Sequence, residues 1–357
     1  MTATMSALVL HGLGDLRYEQ VPIPEPRAGW ALVRVAAVGV CGSDVPRIYA
    51  HGAYHYPLIP GHEAAGVVAA LGDAADGAAI RVGDAVAIKP LIPCGKCVFC
   101  EIGAFGQCMD YGYIGSRRDG AMAEYVLARM DNLLPLPDGL DPVEAALCEP
   151  TAVALHAVRQ GGVGAGDVVA ILGSGPIGML VAQWARILGA EEIILVDVDE
   201  AKLALARRMW LGHTVNSRQT DPVAAVREIG RGLGADLVIE AAGVPATFNQ
   251  ALLLARPLGR VVIMGNPSAD VTLPLASVSQ MLRKELVIRG TWNSSFAHLP
   301  TDEWQVALRY LADRRIDVKP LITHRLPLAR GVAALEMMRD RSEPYARVVL
   351  TNDQGER

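Results

Sequence analysis

Four cysteines fall within fifteen residues, at Cys94, Cys97, Cys100 and Cys108. At this spacing four thiolates converge on one tetrahedral ion, and an all-thiolate set leaves no coordination position open to a substrate. The chemistry this predicts is a structural zinc, which folds its lobe and takes no part in turnover. Two disulfides or an iron–sulfur cluster would use the same residue type. Neither is favoured, because the chain has no second cysteine run, and its first residues lack the basic start and long apolar core of a secretory leader.

A second group is spread more widely. Cys41 is followed by Ser43 and Asp44, His62 stands in a Gly-His-Glu run, and Glu149 follows Cys148. A thiolate, an imidazole and a carboxylate from three places in the chain form a three-ligand set with a fourth position open, the arrangement of a catalytic zinc. Each residue also has an ordinary reading: Cys41 as a small buried hydrophobe, His62 as a satisfied turn residue, Glu149 as a carboxylate at a helix start.

A third signal is Gly173-x-Gly175-x-x-Gly178, with Pro176 and Ile177 between its last two glycines. It lies after an apolar run at 168–172, expected to be a strand, and opens a helical pattern at 176–188. The first glycine permits a tight turn, the second lets backbone approach a pyrophosphate, and the third lets helix and strand pack closely. Asp197 ends the next apolar run, where a carboxylate accepts from a ribose 2′-OH and repels a 2′-phosphate. NAD is therefore expected over NADP. Asp199 could share that role, and Lys202 completes the candidate cofactor set.

These groups need elements to position them. Up to about residue 150, short β-branched runs at 31–40, 64–71, 81–89 and 121–127 alternate with Gly and Pro, the mark of an antiparallel, barrel-like domain. From about 153 the rhythm changes to strands at 168–172, 192–196, 236–240 and 260–264, with helices at 176–188 and 200–211 among them, which predicts parallel βαβ units. After 292 come helices at 302–313 and 328–339 and a closing strand at 346–350. The expected fold class is α/β plus β, with domains at 1–152, 153–291 and 292–357.

Of the residues, 51% are hydrophobic and the formal net charge is −5, so core material is ample and no basic field exists to attract nucleic acid. The longest apolar tract, 168–190, is broken by the glycine motif and so is no membrane span. The two remaining cysteines, Cys41 and Cys148, stand apart. Thiolates free to bind metal need a reducing compartment, which points to the cytoplasm.

The segments GVCGSD at 39–44, PGHEAAGVV at 60–68, DGAMAEYV at 119–126, CEPTAVALHA at 148–157 and GSGPIGML at 173–180, together with the four-cysteine lobe, resemble the zinc-dependent medium-chain alcohol and polyol dehydrogenases over essentially the whole chain. Within that family, CGSDVPRI, HYPLIPGHE, GSRRDG, LRKELVIRGTWN and PLITHR look most like the branch that oxidises galactitol 1-phosphate. The resemblance implies a GroES-like catalytic domain built from both chain ends, a Rossmann domain inserted between them, and a homodimer or homotetramer. It implies two zinc ions per chain and NAD. Cys41 and His62 would ligate the catalytic zinc, Glu149 falls where the polyol branch has a carboxylate, and Glu63 can alternate as ligand. Asp44 would fix the His62 ring, Ser43 would take the proton of the substrate hydroxyl, and Arg347 would reach the cofactor pyrophosphate.

The implied substrate is a small polyol or polyol phosphate, with Arg47, Arg117 and Arg118 as phosphate partners and Trp292 and Asn293 near the cleft. One position departs from some relatives: Pro46 stands where they end a proton relay in histidine. Proton exit would then run through water past Glu63, or through His51 or His55. The competing readings are a dehydrogenase of unphosphorylated polyols such as sorbitol or xylitol, one of L-threonine, or a silent NAD-binding regulator. Intact Cys41, Ser43, His62 and Glu149 argue against silence.

Overall fold

The computed structural model describes residues 3–73, 80–298 and 300–352. The chain divides into two compact units, Met1–Glu149 with Ser295–Arg357, and Pro150–Ser294. Among the described residues no helix is long and apolar enough to cross a membrane.

The first unit is built on a seven-stranded sheet. Its central strand, Trp30–Val40, pairs antiparallel with Glu63–Leu71 on one side and Arg347–Thr351 on the other. The register is specific, with Gly39 opposite Glu63 and Val40 opposite Val348. Cys41, Glu63 with the preceding His62, and Arg347 are thereby brought to one end of three adjacent strands, although the sequence separates them by up to about three hundred residues. Beneath lies a core that includes Leu8, Leu10, Val33, Ile48, Ile88, Met122 and Leu350. A hairpin of Thr4–Gly12 and Asp15–Pro22 packs into it and was not expected from the sequence.

Other boundaries moved for local reasons. The run at 81–89 is strand only over Ala85–Ile88, because Asp84 closes a turn, its carboxylate accepting from the Arg81 N–H at 2.7 Å. The expected strand at 121–127 begins only at Tyr125: Ala121 and Met122 instead donate to the carbonyls of Gly61 and Pro60 and buttress the loop that carries His62. The helix expected at 328–339 runs over Gly331–Asp340, after a short 3₁₀ turn.

The second unit is a six-stranded sheet in which every pairing is parallel. In order across the sheet its strands are His213–Asn216, Glu192–Asp197, Val168–Leu172, Ala235–Glu240, Ala255–Ile263 and Val287–Gly290. Numbered within this unit that is 3-2-1-4-5-6, the Rossmann order, whose switch point lies beside the strand Val168–Leu172. All five residues of that strand are buried, as a strand covered on both faces requires.

Candidate active site

Cys41, His62 and Glu63 form one cluster in the first unit, each offering a donor atom within 4.8 Å of the others. His62 and Glu63 are buried. The His62 Nδ1 and Glu63 Oε2 atoms are buried without a hydrogen-bond partner, which in a folded protein calls for an explanation. A soft thiolate, an imidazole and a carboxylate oxygen are a donor set that suits zinc, and a bound cation would also answer for the unpaired carboxylate oxygen.

Asp44 organises the cluster from behind. It is fully buried; Oδ2 accepts from the Cys41 N–H at 3.0 Å, and Oδ1 accepts from Arg47 Nη1 at 2.8 Å. The same Oδ1 lies 3.6 Å from His62 Nδ1, close enough to polarise the ring but longer than a hydrogen bond. Burial disfavours a charged imidazole, yet Asp44 and then Cys41 outweigh it and raise His62 to about 10. The proton on His62 thus answers the negative charge that a cation would neutralise, and ligation requires that it leave.

Glu63 is held by Arg347, whose Nη1 donates to Oε1 at 3.0 Å and to the Val40 carbonyl at 3.2 Å. Arg347 itself is only 4% exposed. The pyrophosphate role expected for it thus meets a guanidinium already committed inside the first unit. Gly39 is what admits this carboxylate, since a Cβ there would stand 2.3 Å from Glu63 Oε2. Glu149, in the first turn of the helix Cys148–Gly161, is buried near the cluster but is not one of its three mutually close donors. Burial raises its carboxyl to about 7, and Tyr113 Oη stands 3.5 Å from Oε1. The Tyr113 ring also meets His62 edge-on at 5.7 Å. Sequence reading missed Tyr113, which sits in a two-residue strand with no periodic signal.

The four-cysteine lobe has its own geometry. The sulfur pairs Cys94–Cys100, Cys97–Cys100 and Cys97–Cys108 stand at 3.9, 3.5 and 3.9 Å. A tetrahedron of zinc–thiolate bonds has an edge of about 3.8 Å, whereas a disulfide needs about 2.0 Å. All six cysteines are free. Cys148 is buried, its thiol facing the Trp304 carbonyl at 3.8 Å.

In the second unit the glycine loop joins Val168–Leu172 to the helix Pro176–Ile187. Gly173 has φ +103, and a Cβ at Gly178 would stand 1.9 Å from the Gly173 carbonyl oxygen, so neither tolerates a side chain. Around Gly175 there is open space on the side a Cβ would occupy, room for an anion at the helix N-terminus. Asp197 ends its strand, its carboxylate accepting from the backbone N–H groups of Ser174, Val198 and Asp199. Asp199 is the N-cap of the helix Glu200–Arg208, its Oδ1 accepting from Ala201 N–H at 2.9 Å, and Lys202 lies on that helix.

Comparison with known proteins agrees with this two-unit fold. A family profile described as alcohol dehydrogenase GroES-like domain matches residues 27–138, and one described as zinc-binding dehydrogenase matches 176–313. Galactitol 1-phosphate 5-dehydrogenase of Escherichia coli is 37% identical over 323 residues, covering 90% of this chain and 92% of its own. This chain belongs to the zinc-dependent alcohol dehydrogenase family. Sorbitol dehydrogenase of Bacillus subtilis is 33% identical, covering 93% of each chain. Among solved structures, galactitol-1-phosphate dehydrogenase from Escherichia coli superposes on this dehydrogenase with a TM-score of 0.90 at 35% identity, covering 97% of this chain and 100% of that one. A zinc-binding dehydrogenase from Sinorhizobium meliloti bound to NADP gives 0.89 at 33% identity, covering 98% and 100%.

The remaining expected residues of this dehydrogenase separate. Ser43, beside the cluster in sequence, is exposed, and its side chain makes no hydrogen bond among the described residues. Arg47 is tied to Asp44 with its side chain 20% exposed. Arg117 and Arg118 do not join the metal donors. They line a cavity to which no metal donor contributes. His55 lines the same cavity, and His51 is exposed at the end of a helical turn. Trp292 and Asn293 stand in the second unit, Trp292 exposed and the Asn293 Oδ1 accepting from Ser294 N–H at 2.9 Å.

Proposed function

We propose that this protein is an NAD-dependent polyol dehydrogenase that oxidises a secondary hydroxyl of a sugar alcohol carried as its phosphate, such as galactitol 1-phosphate. The observation that carries this reading is the cluster of half-buried Cys41 with buried His62 and Glu63, joined in sequence to the Ser43 hydroxyl, which makes no hydrogen bond among the described residues. Cys41, His62 and Glu63, with Glu149 as an alternative carboxylate, would hold a zinc ion that would supply Lewis acidity to the substrate hydroxyl, and a nicotinamide cofactor would supply the hydride acceptor. Ser43 accepts the hydroxyl proton and hands it outward. Asp44 keeps the Cys41 backbone and the His62 ring in place, and Arg347 restrains Glu63. Outward proton movement has no histidine at Pro46 and uses exposed water near Ser43 and His51.

The phosphate is supported by the likeness to the galactitol 1-phosphate enzyme, with Arg47 as the arginine tied to the cluster. A reading without phosphate is supported by the likeness to sorbitol dehydrogenase. NAD reduction by the zinc-loaded protein with galactitol 1-phosphate, galactitol, sorbitol, xylitol and L-threonine separates them. One charged hydrogen bond to phosphate is worth about 1.5–3 kcal/mol, so kcat/KM should favour the phosphate ester by at least about tenfold. Preference for a free polyol selects the second reading.

NAD is the proposed cofactor because Asp197 presents a carboxylate at the strand end that a 2′-phosphate would have to approach. Asp197→Asn combined with Val198→Arg should lower the NAD to NADP ratio of kcat/KM by about tenfold or more. Asparagine keeps an oxygen acceptor for the turn, and Val198 is exposed enough to admit arginine. A wild-type protein that already prefers NADP would overturn this assignment.

The protein is further proposed to be a homo-oligomer working in the cytoplasm. The strand Val287–Gly290 is an exposed sheet edge, and Leu275 and Leu282, seven residues apart on the helix Leu275–Arg283, are 85% and 68% exposed. An open edge flanked by apolar residues suits pairing with a second copy. Sedimentation should therefore give a dimer or tetramer, and Ile288→Lys should shift it toward monomer. Four thiolates held for a metal suit a reducing compartment.

A further inference from the structure

The first unit contains a cavity of about 660 Å³ to which none of the metal donors contributes. Part of its wall is apolar, including Val21, Leu58 and Val126, and part is cationic, with Arg27, Arg117 and Arg118. Arg27 and Arg118 both stack on the half-buried indole of Trp30, 4.7 and 5.4 Å from its centroid. Two like charges are thus gathered on one ring. Arg117 is clamped between the rings of Tyr54 and Tyr111, at 4.4 and 4.5 Å.

Among the described residues none of the three arginines has a carboxylate partner. Two carboxylates share the wall. Asp119 uses Oδ1 to accept from the Ile59 N–H at 3.0 Å, and Glu25 makes no ion pair with any described residue. A guanidinium placed over an aromatic face can still donate from its N–H edge in pairs to an anion. Arg118 is the most firmly placed. Its N–H closes a turn onto the Tyr113 carbonyl at 3.1 Å, and its Nε passes over Gly112, where a Cβ would stand 2.9 Å away.

Three arginines beside two carboxylates, one of which already accepts from a backbone N–H, face an apolar wall in a cavity of small-ligand size and describe a receptor for an anion with an apolar body. We infer that this cavity binds a small phosphate monoester, its phosphate bridging Arg27 and Arg118 and its apolar body lying against Leu58 and Val126. A phosphate dianion fits better than a carboxylate, because three oxygens can receive two guanidinium forks at once. None of Cys41, Ser43, His62 and Glu63 lines this cavity, and the inference places the monoester apart from the substrate proposed above.

Calorimetric titration of the zinc-loaded protein with phenyl phosphate, which has no carbinol to oxidise, tests this. One phenyl phosphate should bind per chain, saturably, more tightly than inorganic phosphate and without displacement by sorbitol. Arg27→Gln and Arg118→Gln should each weaken binding by roughly tenfold or more, the loss of a charge-assisted hydrogen bond. If Arg118→Gln lowers the melting temperature, Arg27→Gln, in an exposed turn, carries the same test. The inference is overturned by a wild type with no saturable heat up to millimolar phenyl phosphate, by equal affinity for inorganic phosphate, by displacement with sorbitol, or by a correctly folded Arg27→Gln that binds as wild type.

Discussion

Cys41→Ser should lower kcat by about a thousandfold while leaving a folded protein that still binds dinucleotide. The size follows from what the cluster is for: Lewis acidity contributes several kcal/mol of charge stabilisation in the transition state, and each 1.36 kcal/mol is about tenfold in rate. Folding should survive because the Cys41 turn is held through its backbone N–H, on Asp44 Oδ2, and that bond does not need the thiol. The dinucleotide loop belongs to the other unit, with its own core. His62→Ala should behave alike. Steady-state turnover beside fluorescence titration with the cofactor provides the check, and a Cys41→Ser protein within tenfold of wild type would contradict the assignment.

Cys100→Ser should have a different signature, a loss of stability rather than of chemistry. Cys100, buried like Cys108, has its thiol pushed up to about 12 chiefly by burial, so without a cation it stays protonated. Cys97 is the opposite case: backbone N–H groups, Met109 first and then Cys100, hold it at about 6, a thiolate at neutral pH. A closed zinc site draws such unlike thiols into one anionic set, and its binding energy is folding energy. Losing one ligand should lower the melting temperature by roughly 10 °C or more. Chelation of the wild type should do the same, and a Cys100→Ser variant that melts with wild type would remove the structural role.

The second unit was the more legible from sequence because its signals are local. Val168–Leu172 is an unbroken apolar run, the glycines follow at once, and Asp197 closes the next strand, so periodicity and turn chemistry agree within thirty residues. The first unit depends on pairing between distant strands. Nothing near Glu63 in sequence announces Arg347, because the ion pair exists only through the shared neighbour Trp30–Val40 and its register. The hairpin Thr4–Gly12 and Asp15–Pro22 escaped notice for another reason: its first strand is buried on both faces and shows no clean alternation. Candidate zinc donors could be named and grouped from residue type and resemblance, but which carboxylate stands closest could not. The structure draws Glu63 into the three-donor cluster and leaves Glu149 beside it, a choice made by the one-residue step from His62 into the strand. Arg117 and Arg118 mark the limit of charge as a signal, since a pair of arginines in sequence does not say which wall of the fold will carry it.

Native mass spectrometry of the intact chain, wild type beside His62→Ala, tests the division between an open and a closed metal site most directly. The wild type should carry two zinc ions per chain and His62→Ala one, the remaining ion staying with Cys94, Cys97, Cys100 and Cys108. A wild-type chain with a single zinc or none, or a His62→Ala chain that keeps or loses both, would contradict it.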